Sequence, residues 1–122
     1  MGNRTVLVVE DDRYLAEATR VLLAREGYHA LSVLGGEEAI ERAREDRPDL
    51  ILMDLFMPSM SGGEALRELR SDPRTRDIPV ILTTGDADAP RPDGVCAVLL
   101  KPVSRARLLA AVRGALDGGA SR

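Results

Sequence analysis

Cysteine, histidine and long apolar runs are all scarce in this chain of 122 residues, which has one of each of the first two, Cys96 and His29. A single thiol rules out an internal disulfide and suits a reducing cytoplasm, and its place in an apolar run predicts plain core packing. One histidine and one buried cysteine argue against a zinc site, and His29, on a weakly apolar segment, is expected to be exposed. The longest wholly apolar stretch, Val95 to Leu100, falls far short of the roughly 18 to 20 residues that span a bilayer. No basic and apolar leader of the secretory type opens the sequence, so a cytoplasmic location is expected. Gly35-Gly36 and Gly62-Gly63 lack the spacing of a glycine-rich phosphate loop. Net charge is only -3, with arginines scattered among the acids, which points to neither a nucleic-acid nor a membrane surface.

With 44% hydrophobic residues the chain can bury a core of its own. One domain is expected over residues 1–117, with a flexible glycine-rich tail at 118–122. Four short apolar runs each end in polar residues: Val6 to Val9 then Glu10-Asp11-Asp12, and Leu50 to Met53 then Asp54. The series continues with Val80-Ile81-Leu82 then Thr83-Thr84, and Val95 to Leu100 then Lys101-Pro102. Strands apolar along their whole length are buried on both faces, the habit of a parallel sheet between helices.

Between the strands the pattern turns helical. Asp12 can cap a helix over roughly Arg13 to Arg25, with Leu15, Ala18, Leu22 and Val21 as its apolar stripe and Gly27 as its stop. Tyr28 to Leu34 reads as a more polar edge strand. Glu37 to Arg47 is predicted helical, with Ala39, Ile40 and Ala43 inward and Pro48 at its end. A third helix runs from about Gly63 to Arg70 with Ala65, Leu66 and Leu69 buried. Ser104 caps a last one through Leu116 carrying Leu108, Leu109 and Val112. Right-handed crossovers then predict an α/β fold, a doubly wound five-stranded parallel sheet of flavodoxin-like order 2-1-3-4-5. Its switch point lies between the strands ending in Glu10-Asp11 and in Asp54, so these acids should meet in one crevice, with Lys101 and a threonine hydroxyl nearby.

The motifs Val8-Val9-Glu10-Asp11-Asp12, Met53 to Pro58, Pro79 to Gly85, and Lys101-Pro102 together resemble the receiver domain of a two-component response regulator, similar to the stand-alone chemotaxis type. Each motif is weak alone, and four in the right order on the right strands are not. The resemblance implies that Asp54 is the phosphoacceptor for a phosphohistidine of a partner kinase. It implies that Glu10 and Asp11 organise Mg2+ together with Asp54 and the backbone carbonyl of Phe56. Thr84, just before Gly85, matches the switch hydroxyl, Lys101 matches the lysine that pairs with phosphoryl oxygens, and the Lys101-Pro102 bond is expected to be cis. By the same resemblance Phe56 and Asp86 tune the lifetime of the aspartyl phosphate, the acid at 86 either orienting water or repelling the donor.

The chemistry accounts for each part. Two carboxylates 4 Å apart repel by about 4 kcal/mol at an effective dielectric near 20, so clustered acids call for a cation. Mg2+ takes oxygen ligands from one or two carboxylates plus phosphate oxygens, and a loose phosphoryl-transfer transition state needs mainly alignment and charge neutralisation.

Two departures from the family pattern stand out. The segment from Gly85 to Gly94 is short and carries Pro90 and Pro92, which cannot both sit inside a regular helix, so the fourth helix is expected to be shortened or missing. Val98 stands where the family usually has a tyrosine or phenylalanine, and a stiff β-branched side chain has no ring to swing. Switching is therefore expected to involve the Asp86 to Gly94 segment.

Three readings follow. The first is a phosphorylatable receiver, catalysing only its own phosphorylation and dephosphorylation, that passes its signal through changed protein contacts. Its expected partners are a histidine kinase or phosphotransfer protein and a downstream protein target, and it is expected to be a monomer or weak homodimer. The second is a receiver-like interaction module outside phosphorylation control, against which the intact set Glu10, Asp11, Asp54, Thr84 and Lys101 speaks. The third, an aspartyl-phosphate hydrolase of small substrates, lacks a second acid two residues after Asp54.

Overall fold

The computed structural model describes residues 3–118. Nine elements follow one another: β1 (Thr5–Val9), α1 (Arg13–Arg25), β2 (His29–Val33), α2 (Gly36–Asp46), β3 (Leu50–Asp54), α3 (Gly62–Arg70), β4 (Val80–Thr84), β5 (Ala97–Leu100) and α4 (Arg105–Gly118). The five strands are parallel, in the order β2-β1-β3-β4-β5. The doubly wound sheet expected from the sequence is the one observed. The last helix runs to Gly118, and the rest of the expected tail lies outside the described residues.

Alternation along the strands divides the core in two. Leu7, Val9, Ile51, Met53, Val80 and Leu82 pack on one face against Ala39, Ile40 and Ala43 of α2 and Ala65, Leu66 and Leu69 of α3. Val6, Val8, Leu50, Leu52, Ile81 and Leu99 pack on the other against Leu23 of α1 and Leu108, Leu109 and Val112 of α4. Both faces are covered, so the middle strands are apolar throughout. The local punctuation also matches. Asp12 caps α1 by accepting from the N–H groups of Tyr14 and Leu15, Gly27 (φ +96°) follows its end, and Ser104 accepts from the N–H of Arg107 at the start of α4.

Three expectations need correction. The buried face of α1 carries Ala16 and Leu23, while Leu15 is 40% exposed and Ala18 also faces solvent. Small Ala16 lets the helix approach the sheet closely, and Leu15 instead borders a cavity of about 320 Å³ shared with Val8, Pro102, Val103 and Leu108. β5 begins at Ala97 rather than Val95, and it is an edge strand with Leu100 42% exposed. Cys96, expected in the core, is exposed at the turn entering this edge, although its N–H still donates to the Val80 carbonyl at 2.9 Å.

The crossover from β4 to β5 contains no helix. Its twelve residues sit at the short end of what a parallel connection allows. Turns take the helix's place: the Asp88 N–H donates to the Asp86 carboxylate, the Ala89 N–H to the Asp86 carbonyl, and Gly94 adopts φ +85°. His29 is exposed on edge strand β2 as expected. No helix among the described residues is long and apolar enough to cross a membrane.

The corrected face of α1 is testable by urea unfolding. Leu23→Ala is expected to cost about 2 to 5 kcal/mol as a fully buried truncation, whereas Leu15→Ala should cost less than about 1 kcal/mol.

Candidate functional site

Strand ends deliver the site. β1 and β3 are adjacent, and the residues that follow their last paired positions, Val9 and Met53, are Glu10 and Asp54. The carboxylate oxygens of Glu10, Asp11 and Asp54 lie within 4.8 Å of one another. Glu10 and Asp54 are buried, and Asp11 faces solvent. Lys101, just past β5, reaches across: its ammonium donates to Glu10 Oε1 at 2.9 Å and to Asp54 Oδ2 at 3.1 Å. Its backbone N–H donates to the Thr84 carbonyl at 2.7 Å, which ties the end of β5 to the end of β4. The Lys101-Pro102 peptide is cis, as the resemblance implied.

The electrostatics follow from this crowding. Burial pushes the Glu10 carboxyl above its ordinary value; the Lys101 hydrogen bond and the Asp12 N–H on Oε2 oppose this, and the Asp54 charge reinforces it. For Lys101, burial works against the charged form, but the hydrogen bonds to Glu10 and Asp54 outweigh it and its pKa is raised. The ammonium therefore stays charged between its two acids. Three carboxylates against one ammonium leave an excess of negative charge. Hard oxygen donors of this kind and spacing suit a small divalent cation.

The other expected residues take distinct positions. Thr84 is buried, and its hydroxyl accepts from the Asp86 N–H at 3.1 Å, so it is joined to the crossover. The Asp86 carboxylate turns back onto the Asp88 N–H. Phe56 follows β3 and is 54% exposed, and Val98 is half-buried against the core on the α2 and α3 side. Glu10, Asp11, Asp54 and Lys101 thus come together, Thr84 ends β4 where the crossover starts, Asp86 lies within the crossover, and Val98 lies in β5.

One contributor was not anticipated. A Cβ at Gly62 would meet the Asp54 carbonyl oxygen at 2.7 Å and Leu55 Cα at 2.9 Å, so only glycine lets α3 begin against the backbone of the acceptor loop. The Gly62 N–H donates to the Leu55 carbonyl at 2.7 Å, and the Ser61 and Glu64 capping box fixes the helix start. The Ser-x-x-Glu pattern at 61 to 64 was the available signal.

Fold and site define the class: a flavodoxin-like α/β domain with paired acids and a lysine at its switch point. The chain belongs to the response regulator receiver domain family, whose model matches residues 6–113. It is similar to the polar-differentiation response regulator DivK of Brucella anthropi, 37% identical over 118 residues, covering 93% of this chain and 96% of that one. The same regulator of Brucella ovis is 36% identical with the same coverage. Among solved structures, the chemotaxis response regulator CheY4 of Vibrio cholerae superposes with a TM-score of 0.85 at 26% identity, over 93% of this chain and 99% of that one. The receiver domain of a sensor histidine kinase from Pseudomonas aeruginosa, solved with a magnesium ion coordinated in its active-site cleft, gives a TM-score of 0.84 at 29% identity, over 95% and 99%.

Two substitutions test this arrangement. Gly62→Ala is expected to lower stability by about 1 to 3 kcal/mol in urea unfolding, because backbone and not a flexible side chain blocks the new methyl. Lys101→Met removes a hydrogen bond that lowers the Glu10 pKa, so Glu10 should titrate higher still, read from its carboxyl carbon shift by NMR.

Proposed function

We propose that the domain receives a phosphoryl group on Asp54 from the phosphohistidine of a histidine kinase or phosphotransfer protein in the cytoplasm, and passes the signal to a downstream protein. The observation that carries this reading is the Lys101 ammonium bridging Glu10 and Asp54 within a cluster of three carboxylates. An Asp54 oxygen attacks phosphorus, the bond from phosphorus to the donor imidazole breaks, and the imidazole leaves. Lys101, already at the acceptor carboxylate, is in reach of the phosphoryl oxygens and balances their charge. The Thr84 hydroxyl, at the end of the neighbouring strand, supplies a further donor.

Glu10, Asp11 and Asp54 are the residues that would hold Mg2+, with the Phe56 carbonyl added by the family resemblance; the spacing of the three carboxylates and the magnesium ion in the Pseudomonas receiver support the acidic part of this set. Bound there, Mg2+ would supply charge neutralisation for the transferred group. The chain's own reactions are then its phosphorylation and the later hydrolysis of the acyl phosphate, with Phe56 and Asp86 tuning the rate of the second. Val98 offers no ring to report the change, so the output passes through the crossover, by way of its segment from Asp86 to Gly94.

Mass spectrometry after acetyl phosphate and Mg2+ is expected to show one phosphoryl adduct on the wild type, none on Asp54→Asn, and a loss of most labelling when Mg2+ is chelated. Undiminished labelling of Asp54→Asn would overturn the assignment.

A further inference from the structure

The crossover from β4 to β5 has no helix and therefore no apolar stripe with which to grip the sheet; only Ala89 and Val95 pack against the core. Polar bonds hold it at both ends. At the near end, the Asp86 N–H is held by the Thr84 hydroxyl. At the far end, the Gly94 carbonyl accepts from Arg70 Nη2 at 3.0 Å, while Nη1 of the same guanidinium donates to the Ile78 carbonyl at 2.9 Å. Arg70 is the last residue of α3 and is half-buried. Its planar fork spans two carbonyls from different segments, which a single ammonium does not do in the same way. The left-handed conformation of Gly94 belongs to the turn that presents its carbonyl there.

Both anchors lead back to the acceptor. Thr84 also binds the Lys101 N–H through its carbonyl, and α3 starts at Gly62, jammed against the Asp54 carbonyl. We infer that Arg70 is a positioning residue that clamps the far end of the crossover to α3, so that the segment moves as a strap held at two points and responds to occupancy of the acceptor pocket. The response to occupancy rests on the reading of Asp54 as phosphoacceptor; the clamp itself does not.

Residue-resolved amide exchange by NMR tests both, on the full chain in Mg2+ with and without beryllofluoride as phosphoryl mimic. Without the mimic, Arg70→Met should speed exchange of the Ala89 and Cys96 amides by about tenfold or more, the size expected for losing a hydrogen bond to a charged group, while Leu52 and Met53 stay protected. Arg67→Met, one turn away and exposed, should match the wild type. With beryllofluoride, exchange between Asp86 and Cys96 should change in the wild type, and the change should be smaller in Arg70→Met. If Arg70→Met loses protection in β3, Arg70→Lys replaces it, with at least about a threefold gain expected in the same amides. Wild-type exchange rates in the folded Arg70 variant overturn the clamp. A mimic-induced change that is absent from a wild type that accepts phosphoryl from acetyl phosphate, or equal in the variant, overturns the response. Failure of acetyl phosphate to label the wild type strikes the acceptor reading instead and leaves the clamp to be judged by exchange without mimic.

Discussion

The contact on which the site depends is an ammonium shared by two carboxylates. Glu10 and Asp54 are both buried and lie beside Asp11, an arrangement that repulsion alone would push apart. Their oxygens lie within 4.8 Å of one another, and at an effective dielectric near 20 two unit charges at such a separation repel by roughly 3 to 4 kcal/mol, comparable to a large part of a domain's net stability. Lys101 offsets part of this by sitting 2.9 Å from one and 3.1 Å from the other. It can do so only because β5 lies parallel to β4 and ends level with it, the Lys101 N–H locked on the Thr84 carbonyl. Were β3 or β5 antiparallel to its neighbours, Asp54 or Lys101 would lie at the opposite end of the sheet. The order β2-β1-β3-β4-β5 is therefore a condition of the chemistry as much as a description of the fold.

Sequence patterning carried the sheet and the acid cluster well, for a physical reason. Runs such as Val6 to Val9 and Leu50 to Met53 are buried on both faces, so their apolar character is unbroken and their ends are sharp. Where burial is partial the pattern blurs. Leu15 counts as apolar yet borders an open cavity, whereas Ala16, in phase with Leu23 and not with the stripe of Leu15, Ala18 and Leu22, is buried. Val95 and Cys96 continue the apolar run of β5 but belong to the turn before it, and Cys96 faces solvent. Gly62 and Arg70 were missed for a different reason, although the Ser61 to Glu64 capping pattern marks the helix start at Gly62. The first matters through an atom it lacks, next to Asp54; the second acts through bonds to carbonyls, which no side-chain pattern encodes.

The two departures from the family pattern support each other structurally. Pro90 and Pro92 remove the helix that would cover the outer part of the sheet, and Val98 on that part is half-buried and ringless. With neither present, the threonine at the end of β4 is left in contact with the crossover itself, through the Asp86 N–H.

A segment fastened by a few hydrogen bonds and two small apolar contacts sits on a shallow free-energy surface. Each such bond contributes about 0.5 to 1.5 kcal/mol, or up to about 3 where a charge is involved. A helix in the same place would bury several apolar side chains at about 1.5 to 3 kcal/mol apiece. The threshold for rearrangement is correspondingly low. On the proposed reading, in which this crossover carries the signal, the absence of a helix trades a silent resting state for sensitivity: some basal output is expected, and full output would need only a modest shift in population.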